Sequence, residues 1–545
     1  MADSSEVIPD EEPRAVPADA YAALPRPDGP APSGRVADLS VLLAFAVLVF
    51  LPRLSPPWNI DHDVAWYNYA AARVLDGGTL YVDVIDLNPP LIVYLHMPPV
   101  LLARALGCAE IPTLMAYISF VVLISLGLSY WVLRRWDCFD SQIFRRLFFL
   151  GLMIALVAVP GLAFGQREHL MLVMLVPYVL AAGGRAAGVQ FPRLLMLVIG
   201  LWAGVGLALK PYFLLAPVAV QAYLVFGPVG RRVLRSPENL GLAAVVGLYA
   251  LHFLFLPSDM RIGFWNTVRM ARETYGAYTE PWTVIAAQGH VLMCLLLLVA
   301  YALVGSSVTL RHLARVLVLA SAALLLAALW QQKGWPYHFL PALVFGWLTA
   351  AVLAIGIVQR EELLRLMFRP GPKSLALILT GGLFLAAGVI DVRHFRSPPM
   401  GGIAPIVKKT SREADGEPIM AFSTSVYPMF PLVNFTGLPW SSRFNCLWLL
   451  PGVYADVDGV TSPFPYHPSD QMHPIERYVI DCVVQDMTSR PPRLVFVQYP
   501  PRHAMPNDSF DFITCLSRDP EFARLWRQYR SAAQFLGHRV FKRFD

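Results

Sequence analysis

Residues 194–227 read LLMLVIGLWAGVGLALKPYFLLAPVAVQAYLVFG. The run is apolar apart from Lys210, which stands beside Pro211. A helix needs about 20 apolar residues to cross the hydrocarbon core of a bilayer. The stretch is too long for one crossing and suits two short ones, broken where proline removes a backbone donor. A lysine at the bilayer centre costs roughly 2.5–3.5 kcal/mol on insertion scales, and less near the edge. Lys210 therefore belongs at a membrane boundary.

The same pattern extends outward in both directions. Spans are expected near 38–55, 113–133, 146–164, 170–184, 194–209, 211–227, 239–257, 283–304, 314–330, 338–357 and 374–391. Over 545 residues, 56% are hydrophobic and 15% charged, against about 25% charged in soluble domains. Disordered, collagen-like and ordinary cytosolic readings of the whole chain are excluded, and an α-helical polytopic membrane protein is expected. The stretch 91–106 (LIVYLHMPPVLLARAL) carries a Pro-Pro break and Arg104, and reads as an interfacial or re-entrant helix. Residues 1–37 hold seven prolines, seven acidic residues and three arginines without apolar periodicity, which predicts a disordered tail.

Short basic clusters fall on alternate breaks: Arg134, Arg135, Arg145 and Arg146; Arg185 and Arg193; Arg231, Arg232 and Arg235; Arg311 and Arg315; Arg360, Arg365, Arg369 and Lys373. By the positive-inside rule that side is cytoplasmic, with the N-terminus. The outer side then receives a first loop at 56–112, Gly165–His169, Lys210, the loop 258–282, Gln331–His338 and a domain at 392–545. That domain, small and α/β or α+β, has strand-like runs at 418–424, 493–499 and 538–544 and a helical stretch at 519–536. Its Cys446, Cys482 and Cys515 could include one oxidised pair or remain three thiols. The net charge of +6 is scattered between apolar runs, so no nucleic acid partner is expected.

Ionisable residues near a membrane are costly and read as functional by default. The outer loops supply Asp61, Asp63 and Asp86; Arg167, Glu168 and His169; Lys210; Arg272; and Lys333 with His338. Carboxylates come from one loop and cations from others. That set suits a reaction in which a carboxylate deprotonates an acceptor and cations stabilise a leaving phosphate.

The first loop runs Asp61-His-Asp-Val-Ala-Trp-Tyr67, continues through Gly78, and ends Asp86-Leu-Asn-Pro89-Pro90-Leu91. It resembles the membrane-embedded GT-C glycosyltransferases, in particular the family-39-like group. That group includes the bacterial aminoarabinose-to-lipid A transferases and the protein O-mannosyltransferases. Their first outer loop carries an Asp, a Tyr four residues on, a later Gly and a Pro-Pro-Leu, which Asp63, Tyr67, Gly78 and Pro89-Pro90-Leu91 match. The likeness covers roughly 40–135 and continues by hydropathy to 391. It implies a polyprenyl-phosphate sugar as donor, an inverting single displacement, and Asp63 as general base. It also implies a bacterial inner-membrane location and an envelope lipid, glycan or protein as acceptor. Asp61 would share the role or hold His62, and Asp86 would position the acceptor. Metal-using members of the class bind a cation at such carboxylates; no clear ligand set stands out here, so neither a metal nor another cofactor is expected.

Arg167, His169, Lys210, Arg272, Lys333 and His338 are the candidates for the donor phosphate. Glu168, Tyr67, Tyr275 and Tyr337 are candidate binding residues beside them. Each has a plainer reading. Asp61 or Asp63 could cap a helix, and Asp86 could close an Asx turn before Asn88. Lys210 could snorkel to the interface, Arg272 could lie on a solvated helix face, and Tyr337 could belong to an aromatic belt. HExxH, GxSxG, Walker A and GxGxxG motifs are absent, which leaves zinc protease, serine hydrolase and nucleotide-driven readings unsupported. A lipid flippase and an O-antigen ligase-type enzyme are the competing readings. The charges cluster on one side and not at the midplane, and the acidic motif lies in the first loop, which favours the transferase.

Overall fold

The computed structural model describes residues 32–56, 58–305, 310–359, 404–501, 505–535 and 537–544. The expected span at 374–391, the basic residues from Arg360 to Lys373, the tail before residue 32 and the domain boundary near 391 lie outside them. Among the described residues, those up to Val47 fall in one unit and those from Leu48 onward in another. Fourteen helices come first among the described residues. They are α1 (Pro32–Leu54), α2 (His62–Leu75), α3 (Leu91–Leu106), α4 (Glu110–Trp136), α5 (Gln142–Val157), α6 (Arg167–Ala186) and α7 (Arg193–Leu207), then α8 (Leu215–Phe226), α9 (Pro237–Phe255), α10 (Ser258–Thr274), α11 (Trp282–Ala286), α12 (Gly289–Val304), α13 (Arg311–Gln331) and α14 (Pro336–Gln359).

Ten of the eleven expected spans are helical, and all ten lie among the described residues. Among the described residues, five helices are long and apolar enough to cross a membrane: α4, α6, α9, α13 and α14 to Gly356. The break at Lys210-Pro211 is real: α7 stops at Leu207, and a 3-10 turn at Pro211–Leu214 leads into α8. Leu240, Leu248, Leu251 and Leu254 of α9 are exposed. Such a surface is a liability in water and the natural boundary in lipid. α3 is a helix of 16 residues, about 24 Å long and shorter than a hydrocarbon core. One of its faces is buried and the other exposes Leu101, Leu102 and Leu106.

α6 is the axis of the bundle. It packs on α4, α7, α13 and α14, and every residue except Arg185 is buried. α7 and α9 approach through small residues. A Cβ on Gly200 would meet the Glu238 carbonyl oxygen at 2.1 Å, so only glycine permits that spacing. At one end of the bundle Arg185 pairs with Glu238, and Asn239 bonds Gln221, which bonds Tyr178. At the other end, α6 begins in a cluster of polar residues.

The C-terminal domain carries a four-stranded sheet in the order β1-β2-β4-β3, with β1 (Ile419–Phe422) parallel to β2 (Leu494–Gln498). β3 (Tyr529–Phe535) and β4 (His538–Arg543) form an antiparallel hairpin. Helix Pro474–Ser489 packs Val479, Ile480 and Val483 into one core with Phe422 and Val497. The expected helix over 519–536 is corrected: it ends at Trp526 and gives way to β3. Tyr529-Arg-Ser-Ala-Ala-Gln-Phe535 has no strong intrinsic preference, and pairing with β4 overrides it. Cys446, Cys482 and Cys515 are free and buried, so none of them is oxidised in a pair.

The domain sits on the first loop. The Ile85 N–H donates to the Arg443 carbonyl at 2.8 Å, and the Asn434 amide to the Ala65 carbonyl at 3.0 Å. Trp66 packs edge-on against Phe430 at 5.0 Å.

Candidate active site

α2 starts at the acidic motif. Asp61 is its N-cap, and Asp61 Oδ1 accepts the Asp63 N–H at 2.8 Å. Burial, opposed by His62 and reinforced by Asp63, raises the Asp61 carboxyl to about 6. His62 stands 3.6 Å from each carboxylate. Burial alone would lower its pKa, but the two acids together raise it. Gln166 is fully buried, and its amide donates to Asp61 Oδ1 at 2.5 Å and Asp63 Oδ2 at 3.1 Å. Asp61 is thus occupied as a cap, while Asp63 is part-exposed and keeps Oδ1 toward His62.

Asp86 is buried and saturated. Trp66 Nε1 donates to Oδ2 at 2.5 Å, and the Asn88 backbone and side-chain nitrogens donate to Oδ1 at 2.6 and 2.7 Å. This is the Asx-turn arrangement, and it ties the end of the first loop to α2. The Asn88 amide also reaches the Tyr67 hydroxyl at 3.2 Å. Both Asp86 oxygens are therefore already engaged.

Arg167, Glu168 and Gln166 open α6 beneath these acids. The Arg167 guanidinium lies 5.5 Å from the centre of the buried Tyr67 ring, a cation–π contact. It is within electrostatic reach of Asp63, Glu168 and Tyr337, and its Nε has no hydrogen-bond partner. Glu168 Oε1 accepts from Lys210 and lies 3.7 Å from His338 Nε2. Gln166 Oε1, Glu168 Oε2 and His338 Nδ1 are also buried without partners. Buried polar atoms are paired in the great majority of cases. Four orphans at one place mark a site built for something polar that fills it.

Lys210 also reaches Gln331 Oε1 at 3.5 Å. Burial, reinforced by Arg167, lowers its ammonium to about 8. Lys333 donates to the Tyr275 carbonyl at 2.7 Å and lies 4.1 Å from that ring's centre; burial lowers it to about 8. Tyr275 packs against Trp335 and Trp448, and Tyr337 is edge-on to His338 at 4.6 Å.

Two expected phosphate ligands are corrected. His169 points away from the cluster: Nδ1 accepts the Gly165 N–H at 3.0 Å, and Nε2 bonds the Leu156 carbonyl at 2.7 Å. Neither nitrogen is left for a ligand. Arg272 is exposed on α10, and no ion pair or hydrogen bond among the described residues ties it to the cluster. Gln166 and Asn88 carry no charge, so the sequence alone does not mark them. Asp61, His62 and Asp63 place ligand atoms within 4.8 Å of one another, the spacing a metal ion requires. No such set was expected. In this arrangement the amide of Gln166 sits between the two carboxylates as a donor.

No family model matches the chain, and no curated protein does either. Among solved structures it matches ArnT from Cupriavidus metallidurans bound to undecaprenyl phosphate. The TM-score is 0.52 at 13% identity, over 94% of this chain and 98% of that one. The apo state of the same protein gives 0.54 at 14% identity, over 93% and 98%. The chain has the ArnT fold. The polytopic helical architecture with a small C-terminal sheet domain expected from the sequence is therefore the one found. At this identity the ArnT likeness is one of fold, and the chemistry must be argued from the residues.

Proposed function

We propose that the chain is a membrane glycosyltransferase that moves a sugar from a polyprenyl-phosphate donor to a hydroxyl of a cell-envelope acceptor, with inversion. The observation that carries this reading is Arg167. It is a buried guanidinium with an unpartnered Nε, held on Tyr67 within reach of Asp63. A desolvated cation with open donor capacity calls for an anion, and a part-exposed carboxylate beside it calls for a proton. That the ArnT structure was solved with undecaprenyl phosphate supports the same donor class.

In the reaction, Asp63 takes the proton of the acceptor hydroxyl. The acceptor oxygen attacks the anomeric carbon, and the bond from that carbon to the phosphate oxygen breaks. Polyprenyl phosphate leaves with the electron pair. Arg167 stabilises its developing charge, with Lys210 and His338 behind it. Lys333 holds Tyr275 at the rim. Gln166 and His62 orient Asp63, and Asp61 holds the start of α2. No step needs a nucleotide or a metal.

The test is transfer of labelled sugar from polyprenyl-phosphate donors to an envelope fraction by the protein in liposomes. Wild type should transfer and Asp63→Asn should not. Undiminished transfer by Asp63→Asn would remove the base assignment. Lipid crossing the bilayer without any transfer would replace the enzyme with a flippase.

A further inference from the structure

A cavity of about 740 Å³ opens between α10, the turn at Tyr81–Val82 and the C-terminal domain around Arg443 and Tyr478. Its volume lies within the range of roughly 300–1,000 Å³ typical of ligand sites. It is separate from the Arg167 cluster but attached to it at two points. The Tyr81 hydroxyl donates to the Asn88 carbonyl at 2.7 Å, and Asn88 holds Asp86 and Tyr67. α10 runs directly on to Tyr275, the partner of Lys333.

The chemistry of its wall is particular. Asp259, Asn266 and Glu273 recur every seven residues on α10, with Arg269 between them, so one helix face presents all four to the cavity. None of the three charged residues on that face makes an ion pair among the described residues. Arg443 does: its Nε and backbone nitrogen both bond Asp486 at 2.9 Å, so its charge is already answered. The unanswered charges are two carboxylates and one guanidinium, which disfavours a polyanion. Tyr478 adds an aromatic face, backed by Phe444 at 6.4 Å. Amide, carboxylate and guanidinium serve hydroxyls that both donate and accept, and an aromatic face serves the C–H surface of a sugar ring.

We infer that this cavity is the acceptor subsite, and that it takes a neutral, hydroxyl-rich oligosaccharide segment and not a phosphate-bearing glycolipid headgroup. The inference rests on the transferase reading above and narrows its acceptor. The test uses the full chain in nanodiscs. Three probes are titrated: short neutral hexose and pentose oligosaccharides, a diphosphorylated glucosamine disaccharide, and polyprenyl phosphate. At least one neutral oligosaccharide should bind. Asn266→Ala and Glu273→Gln, both on an exposed helix face, should each weaken it about tenfold, the scale of one hydrogen bond to a charged or amide group. Thermal stability and polyprenyl-phosphate binding should not change. Preference for the diphosphorylated disaccharide would overturn the inference. So would oligosaccharide binding untouched by both variants, or none at all while polyprenyl phosphate binds. Failure of polyprenyl phosphate to bind, with oligosaccharide bound as expected, would instead remove the donor assignment and leave the cavity a glycan site.

Discussion

Glu476 in the C-terminal domain and Glu168 at the start of α6 are both fully buried carboxylates, each beside a cation and a histidine. Around Glu476 every valence is used. It accepts from Arg518, Tyr454 and His467, and Arg518 also serves the carbonyls of Cys515 and His467. Burial would raise the Glu476 carboxyl, but these hydrogen bonds together hold it below its ordinary value. Around Glu168 the pairing is partial: Glu168 Oε2, Arg167 Nε and His338 Nδ1 are left over. The first cluster is a closed structural lock. The second is an open one, with these polar atoms unpaired. Buried charge alone does not separate the two; the state of the remaining lone pairs and protons does.

That contrast can be broken most sharply at the open cluster. Asp63→Asn should cut transfer by about a hundred- to ten-thousandfold, the range for a general base, with little change in melting temperature. At the closed cluster the effect should be on stability. Arg518→Leu leaves Glu476 uncompensated and should cost roughly 3–5 kcal/mol of domain stability, read as a lower melting temperature with donor affinity intact in the folded fraction. Arg167→Gln should do the reverse. It should raise the KM for donor about tenfold or more, corresponding to roughly 1.5–3 kcal/mol for a charged hydrogen bond, and leave stability almost unchanged. A melting-temperature loss as large as that of Arg518→Leu would mean Arg167 is part of a lock after all.

pH separates the clusters by sign. Glu476 has a lowered carboxyl, so its stabilising contribution is present above about 4.5 and is lost as pH falls below it. Asp61 has a carboxyl raised to about 6, so the native state binds more protons than the unfolded chain between 3.8 and 6. Its contribution to stability falls as pH rises through that window. Asp61→Asn retains a good N-cap and should melt slightly higher than wild type at pH 8.

Much of this was legible in the residues. Apolar runs marked ten helices, and Lys210-Pro211 marked the break between α7 and α8. The resemblance of the first loop, through Asp63, Tyr67 and Pro89-Pro90-Leu91, to the GT-C glycosyltransferases implied the fold. The losses have geometric causes. Arg167, Glu168 and His169 look like one polar cluster, but consecutive helical residues point about 100° apart. Arg167 and Glu168 face the site, and His169 faces the end of α5. Arg272 lies on the exposed face of α10, away from its buried Met270, Ala271 and Thr274. Asp86 stands out in the sequence, yet whether its oxygens are free depends on Trp66, twenty residues away. β3 depended on a partner strand that local preference does not reveal.

The burial of α6 has a last consequence, for how the gene tolerates change. Most bundle helices have a lipid-facing side on which one aliphatic residue substitutes for another at little cost. Here every position but Arg185 is enclosed, and overpacking or cavity formation penalises both larger and smaller side chains. A saturating mutagenesis map should therefore show α6 as an unbroken intolerant band, where its neighbours show stripes. The segment that carries Arg167 and Glu168 at its tip is then also the segment least free to drift.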